Sequence, residues 1–356
     1  MALLGWSGAP TTWSEMKIDR SLGLSLRWHM CRIAVICSLL VLFGVSAGEA
    51  SDARVLRIST PGVPQETQSK SLIEFKITLE QLAPGQFDIQ IHLNGTLFVQ
   101  GTEVYALQRG NLEMSLLSAQ DISKQIPEYT IFTTGYLIRD LDHQQAVFGG
   151  EIGEEVYGRV AREMNIHILG IQYLGTRQLN LRELREVKIP ADIAGIKLRM
   201  PGSKSWQFLG NALGASSTPM DFNEVYLGLQ TGTIDGQDNP LPVMIEAKFY
   251  EVTKQIVLTS HLVDGVFIAI GKEYWDELTS EQQIAIQIAA DTAIAFNNKA
   301  NLAAEKRAQD FLKSKGLTIT VPDRAAFRKT VQKAYLESEY SKTWQPGLLD
   351  RINSAR

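Results

Sequence analysis

Residues Val55–Leu93 read VLRISTPGVPQETQSKSLIEFKITLEQLAPGQFDIQIHL, a stretch whose periodicities change twice. Val55–Ser59 alternates like a strand, and Thr60–Gln65 carries Pro61, Gly62 and Pro64, which mark a loop. Ser69–Leu82 then places Leu72, Phe75, Leu79 and Leu82 near a 3.6-residue period and stops at Pro84-Gly85, which predicts a helix. Phe87–Leu93 alternates again. The rhythm continues with a short helix over Gly101–Arg109 closed by Gly110, a strand over Leu112–Leu117, a helix over Glu151–Glu163 and a strand over Ile166–Gln172. Strands separated by helical segments predict an α/β fold with a largely parallel sheet covered on both faces. Ligands of such sheets sit beyond the carboxyl ends of the strands, where the loops Thr60–Gln65 and Ser118–Ser123 emerge.

Farther along, Thr279–Lys315 is the longest periodic segment, with a capping box at Thr279/Gln282 and Gly316 at its far end. Unbroken, its ~36 residues reach roughly 54 Å at about 1.5 Å each, enough to bridge two lobes. The alternative is a pair of helices that break near Asn297-Asn298. Upstream, Ile33–Val45 (IAVICSLLVLFGV) follows Arg20, Arg27 and Arg32 and precedes Ser46, Ala47 and Gly48. That is the pattern of a secretory leader, cut between Ala47 and Ala53, or of an uncleaved N-terminal anchor. Residues 1–29, with Trp6, Trp13 and Trp28, are unusual for a leader and suggest an over-extended start. Both cysteines, Cys31 and Cys37, lie in this leader, so the exported product would have neither disulfide nor thiolate metal site.

The chain has 356 residues, 44% hydrophobic and 21% charged, with a formal charge of -4. Disordered and collagen-like classes are excluded, and no basic footprint invites nucleic acid. No G-x-S-x-G elbow, H-E-x-x-H, G-x-G-x-x-G or paired C-x-x-C is present. Gly265–Lys272 (GVFIAIGK) has the wrong spacing and interior for a phosphate loop and reads as a buried strand ending at Gly271. His92, His143, His167 and His261 are scattered and read as surface or core residues. Asp235 and Asp238 flank Gly236 without the alternating ligands of a calcium loop and read as a turn. The pattern calls for no cofactor.

Between Gly175 and Pro240 the punctuation exceeds what core packing needs. Gly175-Thr176-Arg177-Gln178 follows a strand, and Gly195-Ile196-Lys197-Leu198-Arg199-Met200-Pro201 is a short strand with an arginine at its end. Then come Gly214-Ala215-Ser216, Pro219-Met220-Asp221-Phe222, Glu224-Val225-Tyr226, Leu229-Gln230-Thr231-Gly232 and Ile234-Asp235-Gly236-Gln237-Asp238-Asn239-Pro240.

Residues 195–240 resemble, almost throughout, the extracytoplasmic solute receptors of tripartite ATP-independent periplasmic (TRAP) transporters, the DctP-like family. The likeness continues at Lys248-Phe249-Tyr250-Glu251-Val252 and more loosely over 55–320. It implies a two-lobed periplasmic-binding-protein fold, of the Venus flytrap, type II-like kind, with the long helix bridging the lobes. On that pattern residues 1–50 are extension and signal peptide, 53–175 with about 265–304 form lobe I, and 176–264 with about 305–356 form lobe II. It also implies a periplasmic receptor whose hinge closes on a small organic acid and delivers it to TRAP permease subunits driven by an ion gradient. A monomer is the simplest state.

The resemblance assigns Arg177 a two-pronged ion pair with the ligand carboxylate, geometry that a planar guanidinium offers and lysine does not. Arg199, Asn239 and Phe222 fall on pocket positions of the family. The residue-level alternatives are a structural ion pair for Arg177, a supporting role for Arg199 behind it, and a plain core place for Phe222. Gln237 and Asp238 are expected to shape the turn. At the end of Leu112–Leu117, where the sialic-acid receptors of the family place a glutamate near the ligand, this chain reads Leu117-Ser118-Ala119, which argues against a sialic acid and leaves Ser118 as the candidate there. Leu179-Asn180-Leu181-Arg182 and Trp206 add polar and aromatic groups near the expected cleft, which suits a hydroxylated acid such as a sugar acid. The competing functions are a sensory receptor for an organic acid and an enzyme on the same scaffold, the latter lacking any catalytic constellation.

Overall fold

The computed structural model describes residues 53–356; the leader expected over 1–50 lies outside them. Among the described residues no helix is long and apolar enough to cross a membrane. Nine strands share one sheet in the order β2-β1-β3-β8-β4-β7-β5-β6, with β9 beside β8. They are β1 Arg54–Ser59, β2 Phe87–His92, β3 Met114–Ser118, β4 Ile166–Leu181, β5 Lys197–Met200, β6 Ser216–Pro219, β7 Gly236–Pro240, β8 Gln255–Gly271 and β9 Thr318–Thr320. The β1/β2, β1/β3, β5/β6, β5/β7 and β8/β9 pairs are parallel, as the βα rhythm predicts. The two long strands run antiparallel to each other, β4 also to β7 and β8 also to β3.

Strand and helix lock together as the periodicity requires. Leu56 and Ile58 of β1 and Leu72, Phe75 and Leu79 of the helix Thr67–Leu82 lie fully buried in one cluster. Burying each such side chain contributes about 1.5–3 kcal/mol.

The long strands β4 and β8 give the fold its two lobes. Met114–Ser118 of β3 pairs with Val266–Ile270 of β8, while Arg177–Leu181 of β4 pairs with β7. One end of each long strand therefore completes the sheet of β1–β3, and the other completes that of β5–β7. The strand expected over Ile166–Gln172 runs on to Leu181, because Gly175 does not end it. Instead the β4/β8 register shifts between Tyr173 and Gly175, and Gly175 takes φ +126°. A Cβ at that position would stand 2.6 Å from Pro240 Cβ and 2.9 Å from Glu305 Oε1, so only glycine fits the irregularity. Arg177, two residues on, lies inside a strand and not at its end.

The helix Ser280–Ser314 is continuous, capped by Thr279 and Gln282, and does not break at Asn297-Asn298. Its Ala285–Ala293 side joins the β1–β3 core, and Ala308 and Leu312 join the cluster of Ile256 and Leu258 of β8 and Ile319 of β9. The asparagines have another use. Asn297 and Asn301 both donate to Tyr173 O (2.7 and 2.8 Å), and Asn298 Oδ1 accepts from Tyr173 N at 2.8 Å. Glu305 accepts from Thr176 N at 2.7 Å and from the Tyr173 hydroxyl at 2.8 Å. The helix thus satisfies the backbone groups that the register shift frees.

The last helix, Leu348–Ser354, departs from its expected place with lobe II. Leu348 and Ile352 pack into the first-lobe cluster that contains Val147, Phe148 and Ile152. Arg351 pairs with Glu155 at 2.6 Å, and Trp344 Nε1 donates to Thr130 Oγ1 at 3.1 Å.

Candidate functional site

A cavity of about 280 Å³ opens beside the point where β4 and β8 pass between the lobes. One wall comes from the loop after β1 and its following helix (Thr60, Gly62, Glu66, Gln68), from Gln100–Glu103, and from the end of β3 (Ser118, Asp121, Lys124). The other comes from Arg177, Arg199, Trp206, Phe222 and Asn239. The six residues singled out in the sequence, Arg177, Arg199, Asn239, Phe222, Ser118 and Trp206, all line it.

The two arginines are held differently. Arg177, 5% exposed, donates through Nε to Asp264 Oδ2 at 2.7 Å and through Nη1 to Asp238 O at 2.9 Å. Asp238 Oδ2 stands 3.3 Å from the same Nη1 and 3.0 Å from His261 Nε2. Burial by itself would depress the Arg177 pKa, but the two aspartates hold it above its ordinary value. Burial likewise favours a protonated Asp238, yet Arg177 and His261 keep it below the ordinary carboxylate range. Trp206 stacks on this guanidinium, 4.3 Å from ring centroid to Cζ. Arg177 is therefore a cavity-lining cation already matched by two carboxylates.

Arg199, 1% exposed, has no carboxylate partner among the described residues. Its Nε donates to Met220 O at 2.8 Å and its Nη2 to Gln100 Oε1 at 2.9 Å. Burial pushes it down to about 9, Asp238 only partly offsets this, and Arg177 adds repulsion. The short strand β5, closed by Pro201-Gly202, fixes its position. The uncompensated positive charge of the cavity thus sits on Arg199, the arginine expected to play the lesser part.

The remaining residues divide by what their polar atoms already do. Asn239, in β7, donates its amide to Gln237 Oε1 at 2.6 Å. Phe222 packs edge-on to Phe249 (5.8 Å) in a core cluster and also faces the cavity, 5.9 Å from the Arg199 guanidinium. The Ser118 hydroxyl is committed to Asp121: it accepts from Asp121 N at 3.2 Å and donates to Oδ2 at 2.7 Å, forming a capping box. Asp238 and Gln237 belong to β7 and not to a turn. Asp238 is fully buried beside Arg177, because its strand runs under the cleft. His261 is a fully buried core histidine, bonded to Thr259 as well as Asp238.

Three kinds of residue escaped the sequence. Gln100 reaches across the cleft, its Oε1 accepting from both Arg199 Nη2 and Phe222 N (3.0 Å); nothing in its surroundings marks it. Asp264 did leave a signal, since an aspartate in the apolar run HLVDGVFIAIG has to find a buried partner. Glu66 and Glu103, near first-lobe loops, were indistinguishable from solvated helix-start acids.

Burial pushes those two carboxyls up, Glu66 to about 7 and Glu103 to about 8, and raises the neighbouring Glu246 to about 7. Each binds its proton more tightly in the folded chain. The stabilisation is full below the unfolded value near 4.5 and is lost as pH rises through 7–8. The Tm of the ligand-free protein is expected to fall between pH 5 and pH 8, and Glu66→Gln/Glu103→Gln to shrink that fall. An undiminished fall in the double variant would exclude these groups as its source.

The family described as bacterial extracellular solute-binding protein, family 7, matches residues 59–342. The sialic acid-binding periplasmic protein of Vibrio cholerae is 31% identical over 270 residues, 76% of this chain and 83% of that one. A TRAP periplasmic solute-binding protein of Roseobacter denitrificans, solved with bound 3-deoxy-D-manno-oct-2-ulosonic acid, is 44% identical. It superposes with a TM-score of 0.83 over 86% of this chain and 100% of its own. Another from the same organism, solved with L-galactonate, is 27% identical with a TM-score of 0.78, over 85% and 99% of the two chains.

Proposed function

Because the chain belongs to bacterial extracellular solute-binding protein family 7, the receptors of TRAP transporters, we propose that it captures a hydroxylated monocarboxylic sugar acid for a TRAP permease. The observation that carries this reading is Arg199, a buried cation at the cavity wall with only carbonyl partners. A ligand carboxylate would supply the missing charge, with Arg177 and the Asn239 side chain beside it. Similarity to the octulosonate and galactonate receptors supports a polyhydroxylated acid.

Capture works by closure. We assign 53–175 with about 265–304 to one lobe and 176–264 with about 305–340 to the other, and the last helix to the first. The arginines stand on one wall and Gln100, Ser118 and the first-lobe loops on the other, so a ligand that touches both favours the closed state. Asn223 Nδ2 to Asn94 O (2.8 Å) and Ser123 to Ser205 (3.2 Å between hydroxyls) already join the rims. Binding involves no chemical step, and the receptor acts as a periplasmic monomer without nucleic acid.

A thermal-shift series on ligand-free protein tests the reading, since a bound ligand stabilises by RT ln(1 + [L]/Kd). 3-Deoxy-D-manno-oct-2-ulosonic acid and galactonate are expected to raise Tm more than succinate at equal concentration. Stabilisation by succinate alone would overturn the assignment to sugar acids.

A further inference from the structure

Gln100 stands on the first wall of the cavity and bonds to the unmatched cation of the other. It sits in a tight turn over 99–102, closed by Thr102 N to Val99 O (3.0 Å) and by Thr102 Oγ1 to the same oxygen (2.7 Å). Gly101 follows with φ +84°, the left-handed place that such a turn reserves for glycine, so the turn fixes where the Gln100 side chain leaves the backbone. Its Oε1 then gathers two donors from separate segments: Arg199 Nη2 in β5 at 2.9 Å and Phe222 N, after β6, at 3.0 Å. The same arginine is pinned from its own side. Its Nε donates to Met220 O at 2.8 Å, and Met220 N in turn donates to Met200 O at 3.1 Å. A guanidinium carries five N–H donors. With Nε and one Nη2 hydrogen engaged, Nη1 has no acceptor among the described residues, and the side chain borders the cavity.

We propose that Gln100 is a positioning residue that ties closure to capture: as the lobes close, its neutral oxygen aligns Arg199 for the ligand carboxylate without neutralising it. The inference rests on the receptor reading above and adds the residue through which the first lobe acts on the anchoring cation. Two bonds, one from each lobe, hold the guanidinium plane, and the Nη1 edge is left to meet both oxygens of a carboxylate. A carboxylate at position 100 would make the stronger bond, but it would also supply the counter-charge that a ligand otherwise brings. A neutral amide gives orientation alone. Oε1 reaches Arg199 and Phe222 only when the lobes are together, so opening breaks both bonds and the anchor loses its alignment. Arg177 needs no such contact, because Asp238 and Asp264 already hold it from the strands beside its own.

Gln100→Leu keeps the bulk and removes the acceptor, whereas Gln100→Glu keeps the acceptor and adds charge. Small-angle scattering of the ligand-free protein reads closure, and calorimetry with galactonate, 3-deoxy-D-manno-oct-2-ulosonic acid and succinate reads capture. Ligand-free compactness is expected to be highest in Gln100→Glu, intermediate in the parent and lowest in Gln100→Leu. Affinity breaks that order: Gln100→Leu is expected to bind about tenfold more weakly than the parent, and Gln100→Glu about 100-fold more weakly. Should Gln100→Leu fail to fold by circular dichroism, Gln100→Glu decides, because greater compactness joined to weaker binding has no packing explanation. Affinity within about threefold of the parent in either folded variant, or unchanged compactness in both, overturns the proposal. If the parent binds succinate and neither sugar acid, the sugar-acid reading falls, while the same order measured with succinate supports the bridge. A parent that binds none of the three acids overturns both.

Discussion

Arg199→Met is expected to weaken sugar-acid binding by about 10²–10³-fold while leaving the ligand-free protein at least as stable as the parent. The two halves of this result have one cause. In the ligand-free cavity Arg199 is a buried cation with two carbonyl partners and no carboxylate, depressed to about 9. An apolar side chain of similar length removes that desolvation cost, yet leaves an arriving carboxylate without its counter-charge. Calorimetry and urea unfolding on the same preparation read the two effects separately. Undiminished affinity would transfer the anchoring role elsewhere, and a large loss of ligand-free stability would make Arg199 structural.

Arg177→Met should behave in the opposite way in the empty protein. Removing this guanidinium strands Asp238 and Asp264, both buried and both dependent on it, and costs about 3–5 kcal/mol of unfolding free energy. Asp238 keeps His261, which softens the loss at that oxygen, whereas Asp264 keeps only the backbone amide of Gly265. Trp206 also loses the cation stacked on its ring. Binding falls too, but with the fold weakened the informative quantity is the urea midpoint without ligand. Equal ligand-free stability for the Arg199 and Arg177 variants would abolish the distinction between an anchoring and a framework arginine.

That distinction marks where sequence stops informing. The spacing from Gly195 to Pro240 carries Arg199, Phe222 and Asn239 to the cavity, because each sits on a short strand or loop whose ends are punctuated by Gly and Pro. Local punctuation also supports the helix Ser280–Ser314 through its capping box. What it does not convey is pairing at a distance. Arg177 meets Asp238 and Asp264, separated from it by 61 and 87 positions, and only the sheet order makes them neighbours. The same shortfall turned Gly175 from a register shift into an apparent strand end, since a glycine at positive φ looks alike in both settings. Ser118 shows the converse: its place beside the cavity was legible, but its hydroxyl is spent on Asp121, a choice that depends on helix capping. Glu66 and Glu103 were invisible because they become exceptional only once buried.

The passage of β4 and β8 through both lobes also governs the order in which the chain can fold. A ribosome releases β1–β3 first, but the outer partner of β3 is Val266–Ile270 of β8, about 150 residues later. Until that segment arrives, β3 keeps an open edge, and β4 lacks its companion along nearly its whole length. Such long-range pairing carries a heavy loop-closure penalty and slows collapse to the native sheet. Neither lobe is then a self-sufficient nucleus. Completion of either sheet waits on the last third of the polypeptide.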